Sequence, residues 1–441
     1  MKNIAKVWRS STAFLLSAFS FLILITSCSN ELDEALQPAN NGTLQFVVSN
    51  FPTFGEGTQT RAIGTQDEGK TAWENGDNIL VHLYSQKYGD QAVTLTFDAE
   101  NNTWESDGGT LSYLENETPT ITAVYAPDCE IKEGQIALQD GKQYGEAEYI
   151  LARTTISENS LDINFESGRT YSRLRIAGLA NQTLTVTTTN FTPAGATEVA
   201  TDAYTLTTDN NGNAFLYGVF AEDATVIVKQ GNVVLKDYTF TAEKNPNGTE
   251  HNKSYALDAT PVIDGTLGGK ATATEDDITA LVEQLKEYVD NGLTTIIVPG
   301  SQPATIDMGL WINTAIGEAI YRLSKEESYD GKIDLILPDV TEIVDQEFDG
   351  AHALNSINLP KVTTVGDGAF YDCQYLEELT FGSVVTAINH NTRAEFHRVG
   401  EKVEGCDLVL NREQVNAEAD YQPNIETMTW WNTEWKSITL K

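Results

Sequence analysis

Cys28 is the residue of this 441-residue chain best placed for chemistry, because of what stands before it. It closes the run Ile25-Thr26-Ser27-Cys28, behind a basic start (Lys2, Lys6, Arg9) and a stretch, Ala13 to Ile25, apolar apart from Ser17 and Ser20. As a helix that stretch rises about 20 Å, short of a bilayer core of about 30 Å. It therefore reads as a secretory signal, residues 1–28, and not as a membrane span. Three further cysteines, Cys129, Cys373 and Cys406, have no CxxC or Cys/His spacing that would hold structural zinc. A Cys373–Cys406 bridge fits within one domain, but Cys373 also fits a buried repeat position, which favours unpaired core thiols. The histidines (His82, His251, His352, His390, His397) are scattered, with no HExxH and no Ser/His/Asp signature. Asp209-Asn210-Asn211-Gly212-Asn213 has part of a calcium loop but no later bidentate glutamate, so a hairpin turn is expected. No catalytic residue, cofactor or metal site is expected, and the chain reads as a non-enzyme. Trp430, Trp431 and Trp435, with Tyr421 near them, are the candidate partner contacts, weighed against a role in plugging an open core.

The small residues before Cys28 resemble the lipobox of bacterial lipoproteins. The resemblance implies that Cys28 is acylated and becomes the first residue of the mature protein. Ser29-Asn30-Glu31-Leu32-Asp33-Glu34, opening an acidic linker over 29–43, resembles the export tract of Bacteroidetes surface lipoproteins. It implies a lipid-anchored protein on the outer face of the outer membrane. Net charge is −36, and without the three signal-peptide cations it is 25 − 64 = −39. Such a chain is repelled by nucleic acid and by anionic headgroups, so neither is expected as a partner held by charge. The acidic residues are dispersed, so disorder does not follow from them.

The elements that carry these residues divide the chain in two. From Leu44 to Thr260, short β-branched and aromatic runs alternate with Gly/Asn/Asp turns, as in Ile79-Leu80-Val81-His82-Leu83-Tyr84 and Thr225-Val226-Ile227-Val228. Many short strands without interleaved helices predict all-β sandwiches, and the length suits two: 44–168 and 169–260. Within them, Thr60-Arg61-Ala62, Trp73-Glu74-Asn75-Gly76-Asp77-Asn78-Ile79, Trp104 and Ala123-Val124-Tyr125-Ala126-Pro127 resemble the fimbrillin family of pilus subunits and pilus-like lipoproteins. Lys253-Ser254-Tyr255-Ala256-Leu257 resembles the last strand of that family's second domain. The resemblance implies transthyretin-like sandwiches and cleavage between Arg61 and Ala62. Loss of the first strand then opens a groove that another subunit's strand fills.

Residues 261–441 follow a different pattern. Ile278, Leu281, Val282, Leu285 and Val289 form a helical stripe, capped by Thr274-Glu275-Asp276-Asp277 and stopped by Gly292. A second stripe runs from Trp311 to Leu323. Then a period of 22 appears: Leu335, Ile357, Leu379; Leu337, Leu359, Phe381; Val340, Val362, Val384. Such a period predicts an α/β leucine-rich solenoid, with repeats over about 333–388, a helical N-cap and a Trp-rich C-terminal cap. Val362 to Cys373 resembles the BspA-like subclass of leucine-rich repeats. Together these point to a surface adhesin, a fimbrial tip or accessory subunit, whose repeats bind a protein or glycan on a host or neighbouring bacterium. The alternatives are a pilus subunit that joins other fimbrillin subunits, and a glycan-binding lipoprotein of nutrient uptake.

Overall fold

The computed structural model describes residues 44–56, 70–114, 117–157, 159–166, 169–200, 202–241, 248–300, 304–306, 312–389 and 395–441. Cys28, Arg61, Ala62, the linker 29–43, Trp311 and His390 lie outside them.

The first strand, Gln45–Val48, alternates: Leu44, Phe46 and Val48 turn to the core while Val47 is 55% exposed. It pairs in parallel with Ser160–Asn164, which pairs antiparallel with Arg153–Ser157. A five-stranded antiparallel sheet faces this one, ordered Thr103–Ser106, Gly89–Asp98, Asn78–Ser85, Thr120–Tyr125, Ile150–Leu151. Ile79, Val81, Leu83, Val93 and Leu95 from one sheet meet Leu161 and Ile163 from the other. Trp73 anchors this core, with Phe51, Trp104, Tyr125 and Phe165 at centroid distances of 4.8, 4.9, 5.4 and 5.5 Å. Its indole N–H donates to the Ser49 carbonyl at 2.8 Å. Gly76, at φ 88°, and Asp77, whose carboxylate accepts from the Glu74 N–H at 2.7 Å, turn the chain into Asn78–Ser85. The outer face of that strand is also covered: Leu80 and Val124 pack under the hairpin Cys129–Lys132/Gln135–Leu138.

The second β-unit is one path of strands folded over its own core. Its order is Ala203–Thr207, Thr183–Pro193, Asn213–Gln230, Ser172–Ala177, Lys253–Asp258, Gly55–Glu56, with Val233–Thr239 added to Asn213–Gln230. The 18-residue strand Asn213–Gln230 makes the corner. Residues 213–218 of it pair with Ser172–Ala177, and residues 218–229 pair with Thr183–Pro193, whose register breaks at a bulge near Asp223, φ 65°. Phe191, Phe220 and Phe240 stack inside at 4.3 and 5.0 Å. Two expectations are corrected here. Asp209–Asn213 is a tight turn, but it links Ala203–Thr207 to a strand that does not pair with it, so it is not a hairpin turn. Gly55–Glu56, counted with the first sandwich, instead adds in parallel to Lys253–Asp258 of the second. The segment 44–56 thus spans both units.

Beyond Pro261 the chain makes a six-stranded, all-parallel sheet: Thr295–Ile297, Ile333–Ile336, Leu354–Leu359, Glu378–Phe381, Asp407–Leu410, Ser437–Leu440. A second parallel ladder, Glu342–Ile343, Thr364–Val365, Ala387–Ile388, runs beside it. Two helices precede the coils. α1 (Glu275–Asp290) is capped by Thr274, and the Asp277 carboxyl is held down to about 2 by Lys270 and by the Thr274 N–H and hydroxyl. α2 (Ala315–Leu323) is capped by Thr314, and Arg322 ties it to Glu275 of α1. Gly317 is needed because a side chain there would meet the Glu347 carbonyl at 2.1 Å. The 22-residue period covers only part of the stack. The buried rung runs Ile296, Leu335, Ile357, Leu379, Leu408, Ile438, with steps of 39, 22, 22, 29 and 30 residues. In the second ladder Val365 pairs with Ile388, one residue past the period, so Val385, not Val384, takes the buried place of Val362. Gln414, fully buried, bonds both the N–H and the carbonyl of Val385, at 2.8 and 2.9 Å.

Candidate binding surfaces

Three stacked phenylalanines, one per coil, form the spine of the repeats. Phe348, Phe370 and Phe396 lie 5.8 Å apart with interplanar angles of 18° and 8°. The residue before the first and the last is glutamate, Glu347 and Glu395, and before the middle one alanine, Ala369. Both glutamates are 1% exposed, and each reaches the structure beyond its end of the stack. Glu347 accepts from the Thr314 hydroxyl at 3.2 Å and from the Val344 N–H at 3.0 Å. Burial outweighs these bonds and pushes its carboxyl up to about 7. Glu395 accepts from the Trp431 indole at 3.1 Å.

This geometry decides the tryptophans. Trp430 and Trp435 are 1% and 5% exposed and pack on Phe396 at 5.7 and 5.3 Å, so neither is available to a partner. They close the apolar column that the last coil would otherwise leave open. Trp431 alone stays half-buried, stacked on Tyr421 at 5.3 Å, in a two-residue turn with Asn432 in which both have positive φ. Cys129, Cys373 and Cys406 are free and buried; burial pushes the Cys129 thiol up to about 11 and the other two higher still.

The outward side of the six-stranded sheet presents two columns of residues, and one of them is polar along its length. Asp334, Ser356, Glu378, Asp407 and Ser437 stand in register across it. Ser356 donates to Asp334 at 2.7 Å and Ser437 to Asp407 at 2.7 Å. The neighbouring outward column, Ile336, Asn358, Thr380, Val409 and Thr439, mixes polar and apolar side chains. Among the described residues no group of three His, Cys, Asp or Glu side chains is placed to hold a metal ion. Among the same residues no helix is long and apolar enough to cross a membrane.

A second polar cluster lies where the two β-units meet. Arg169 donates to the Pro52 carbonyl and, at 2.7 Å, to Glu148, with its guanidinium 3.8 Å from the centroid of Phe54. Burial raises the Glu148 carboxyl despite Arg169, Arg173 and Lys70 around it. Nothing in the local sequence marks this cluster, whose members come from residues 52 to 173.

Residues 332–399 match the family described as a BspA type leucine-rich repeat region of six copies. No curated protein matches the chain. Solved structures align with about half of it. A protein of Bacteroides fragilis provisionally described as a cell adhesion protein aligns at 12% identity, with 49% of this chain and 92% of that one covered, and a TM-score of 0.25. One of Bacteroides ovatus, described in the same way, aligns at 12%, with 50% and 93% covered and a TM-score of 0.26. A fimbrial protein of Bacteroides ovatus aligns at 10%, with 49% and 48% covered and a TM-score of 0.24. Scores of this size leave the fold of residues 44–258 to rest on the strand pairing described above. The chain is a β-rich, multi-unit protein carrying a BspA-type repeat region.

Proposed function

We propose that this chain is an exported surface adhesin, anchored through acylated Cys28, in which two β-sandwich units carry a leucine-rich solenoid that binds a protein or glycan partner. The observation that carries the reading is the register of the outward residues. One outward column, Asp334, Ser356, Glu378, Asp407 and Ser437, makes a polar row across the coils, and solenoids vary such outward positions independently of the buried rungs beneath. The two helices and the Trp430/Trp435 plug act as caps, leaving the coil face as the free surface. The test is adhesion of the mature chain to host or bacterial cells, compared with Glu378→Lys and Ser356→Arg on that face. Loss of adhesion with unchanged thermal unfolding supports the reading; unchanged adhesion in both variants overturns it.

A second reading is favoured by the first strand. Among the described residues Gln45–Val48 is paired on one side only, by Ser160–Asn164; Leu44, just before it, is buried, and Phe46 and Val48 pack against the core. A strand so placed is removable, and cleavage after Arg61 would expose the groove beneath it to a strand of another subunit.

A further inference from the structure

Between the two β-units lies a cleft of about 390 Å³, within the roughly 300–1,000 Å³ range of small-ligand sites. One wall comes from the first unit: Lys70, Tyr125, Glu146 and Glu148. The other comes from the second: Arg173, Phe215, Tyr217 and the turn residues Asp209 and Asn213. Sites of this kind occur preferentially where units meet.

The polar groups in it are held by their neighbours. Lys70 donates to Asp77 at 2.5 Å and to the Tyr125 hydroxyl at 3.3 Å. Arg173 is 3% exposed, donates to the Ser254 hydroxyl at 3.1 Å, and lies 5.3 Å from the centroid of Phe215. Glu148 is fixed by Arg169. Side chains locked in this way are preorganised, which spares a ligand the entropy of ordering them.

The signs of charge decide the ligand class. Two cations, Lys70 and Arg173, are interleaved with the carboxylates Glu146, Glu148 and Asp209. An anionic ligand meets the carboxylates and a cationic one meets the ammonium and guanidinium. A hydroxyl both donates and accepts, so a neutral polyol can satisfy both kinds of group. Phe215 and Tyr217 offer half-buried aromatic surface for the apolar face of a sugar ring. We propose that this cleft binds a neutral mono- or disaccharide. The site lies outside the coil face and goes beyond the adhesion proposed for it.

The experiment titrates the mature chain with glucose, galactose, N-acetylglucosamine, maltose and lactose, with glucuronate and glucosamine as charged controls, read by saturation-transfer NMR and calorimetry. The expected result is binding of at least one neutral sugar in the millimolar range or tighter, about −4 kcal/mol or better. Phe215→Ala should weaken it about tenfold. Glu146→Gln, an isosteric change at a half-buried position, should weaken it severalfold and guards against a folding defect in Phe215→Ala. No signal from any neutral sugar, tighter binding of either charged control, or wild-type affinity in Glu146→Gln would overturn the proposal.

Discussion

Glu347 is a carboxylate 1% exposed, in a coil whose neighbour has alanine at the same place. Its carboxyl is raised from 4.5 to about 7 by burial. The folded state therefore holds its proton more tightly than the unfolded state does. Its contribution to stability is fully present below about pH 4.5 and is lost as pH climbs through about 7, by up to about 3 kcal/mol in all. Glu347→Gln, which mimics the protonated acid, should raise the melting temperature at pH 7.5 and change it little at pH 5. An equal effect at both pH values would refute the argument. Arg169 presents the opposite case, a buried cation that holds a buried carboxylate. Arg169→Met should cost about 3–5 kcal/mol, because Glu148 is left buried without its closest cation. Adding Glu148→Gln should recover part of that loss, and a double mutant no better than the single one would show that the two residues do not act as a pair.

At the scale of elements, the phenylalanine stack and its two glutamates make the coils one cooperative block. Phe370 is fully buried between two rings. Phe370→Ala should cost about 3–5 kcal/mol by denaturant unfolding, since coils tied above and below collapse poorly into the cavity. A loss under about 1 kcal/mol would mean that the stack is loosely packed. The first strand is held differently, by the inward Leu44, Phe46 and Val48 and, among the described residues, by one partner strand.

At the scale of the molecule, under the proposed function the anchor and the first strand set what the chain does in place. Cys28→Ser should abolish labelled-palmitate incorporation and release the protein from the membrane fraction or leave an unprocessed precursor. Unchanged labelling would end the lipoprotein reading. Under the pilus reading, an arginine-specific protease nicks the folded chain at Arg61, and Arg61→Ala blocks both the nick and any higher-order ladder. A native surface protein that begins at Cys28 and stays monomeric leaves the adhesin reading and removes the polymerising one.

What was legible in the sequence was local. The alternation of Leu44, Phe46 and Val48, the Trp73–Ile79 turn, the stripe and cap of α1 and the 22-residue period all follow from the repeat of a strand, a helix or a coil over neighbouring residues. The outer coils were not legible, because steps of 29, 30 and 39 residues between rungs erase the period while the backbone pairing continues. The same holds for Gly55–Glu56, whose partner strand lies some 200 residues away at Lys253–Asp258. The tryptophans show the limit at single residues: composition marked all three as candidate contacts, but only packing on Phe396 decides that Trp430 and Trp435 are core while Trp431 reaches the surface. Glu347, Glu395 and the cleft between the β-units depend on groups brought together from distant positions. Burial, and with it the protonation of a carboxylate, is a property of that assembly and has no local signature.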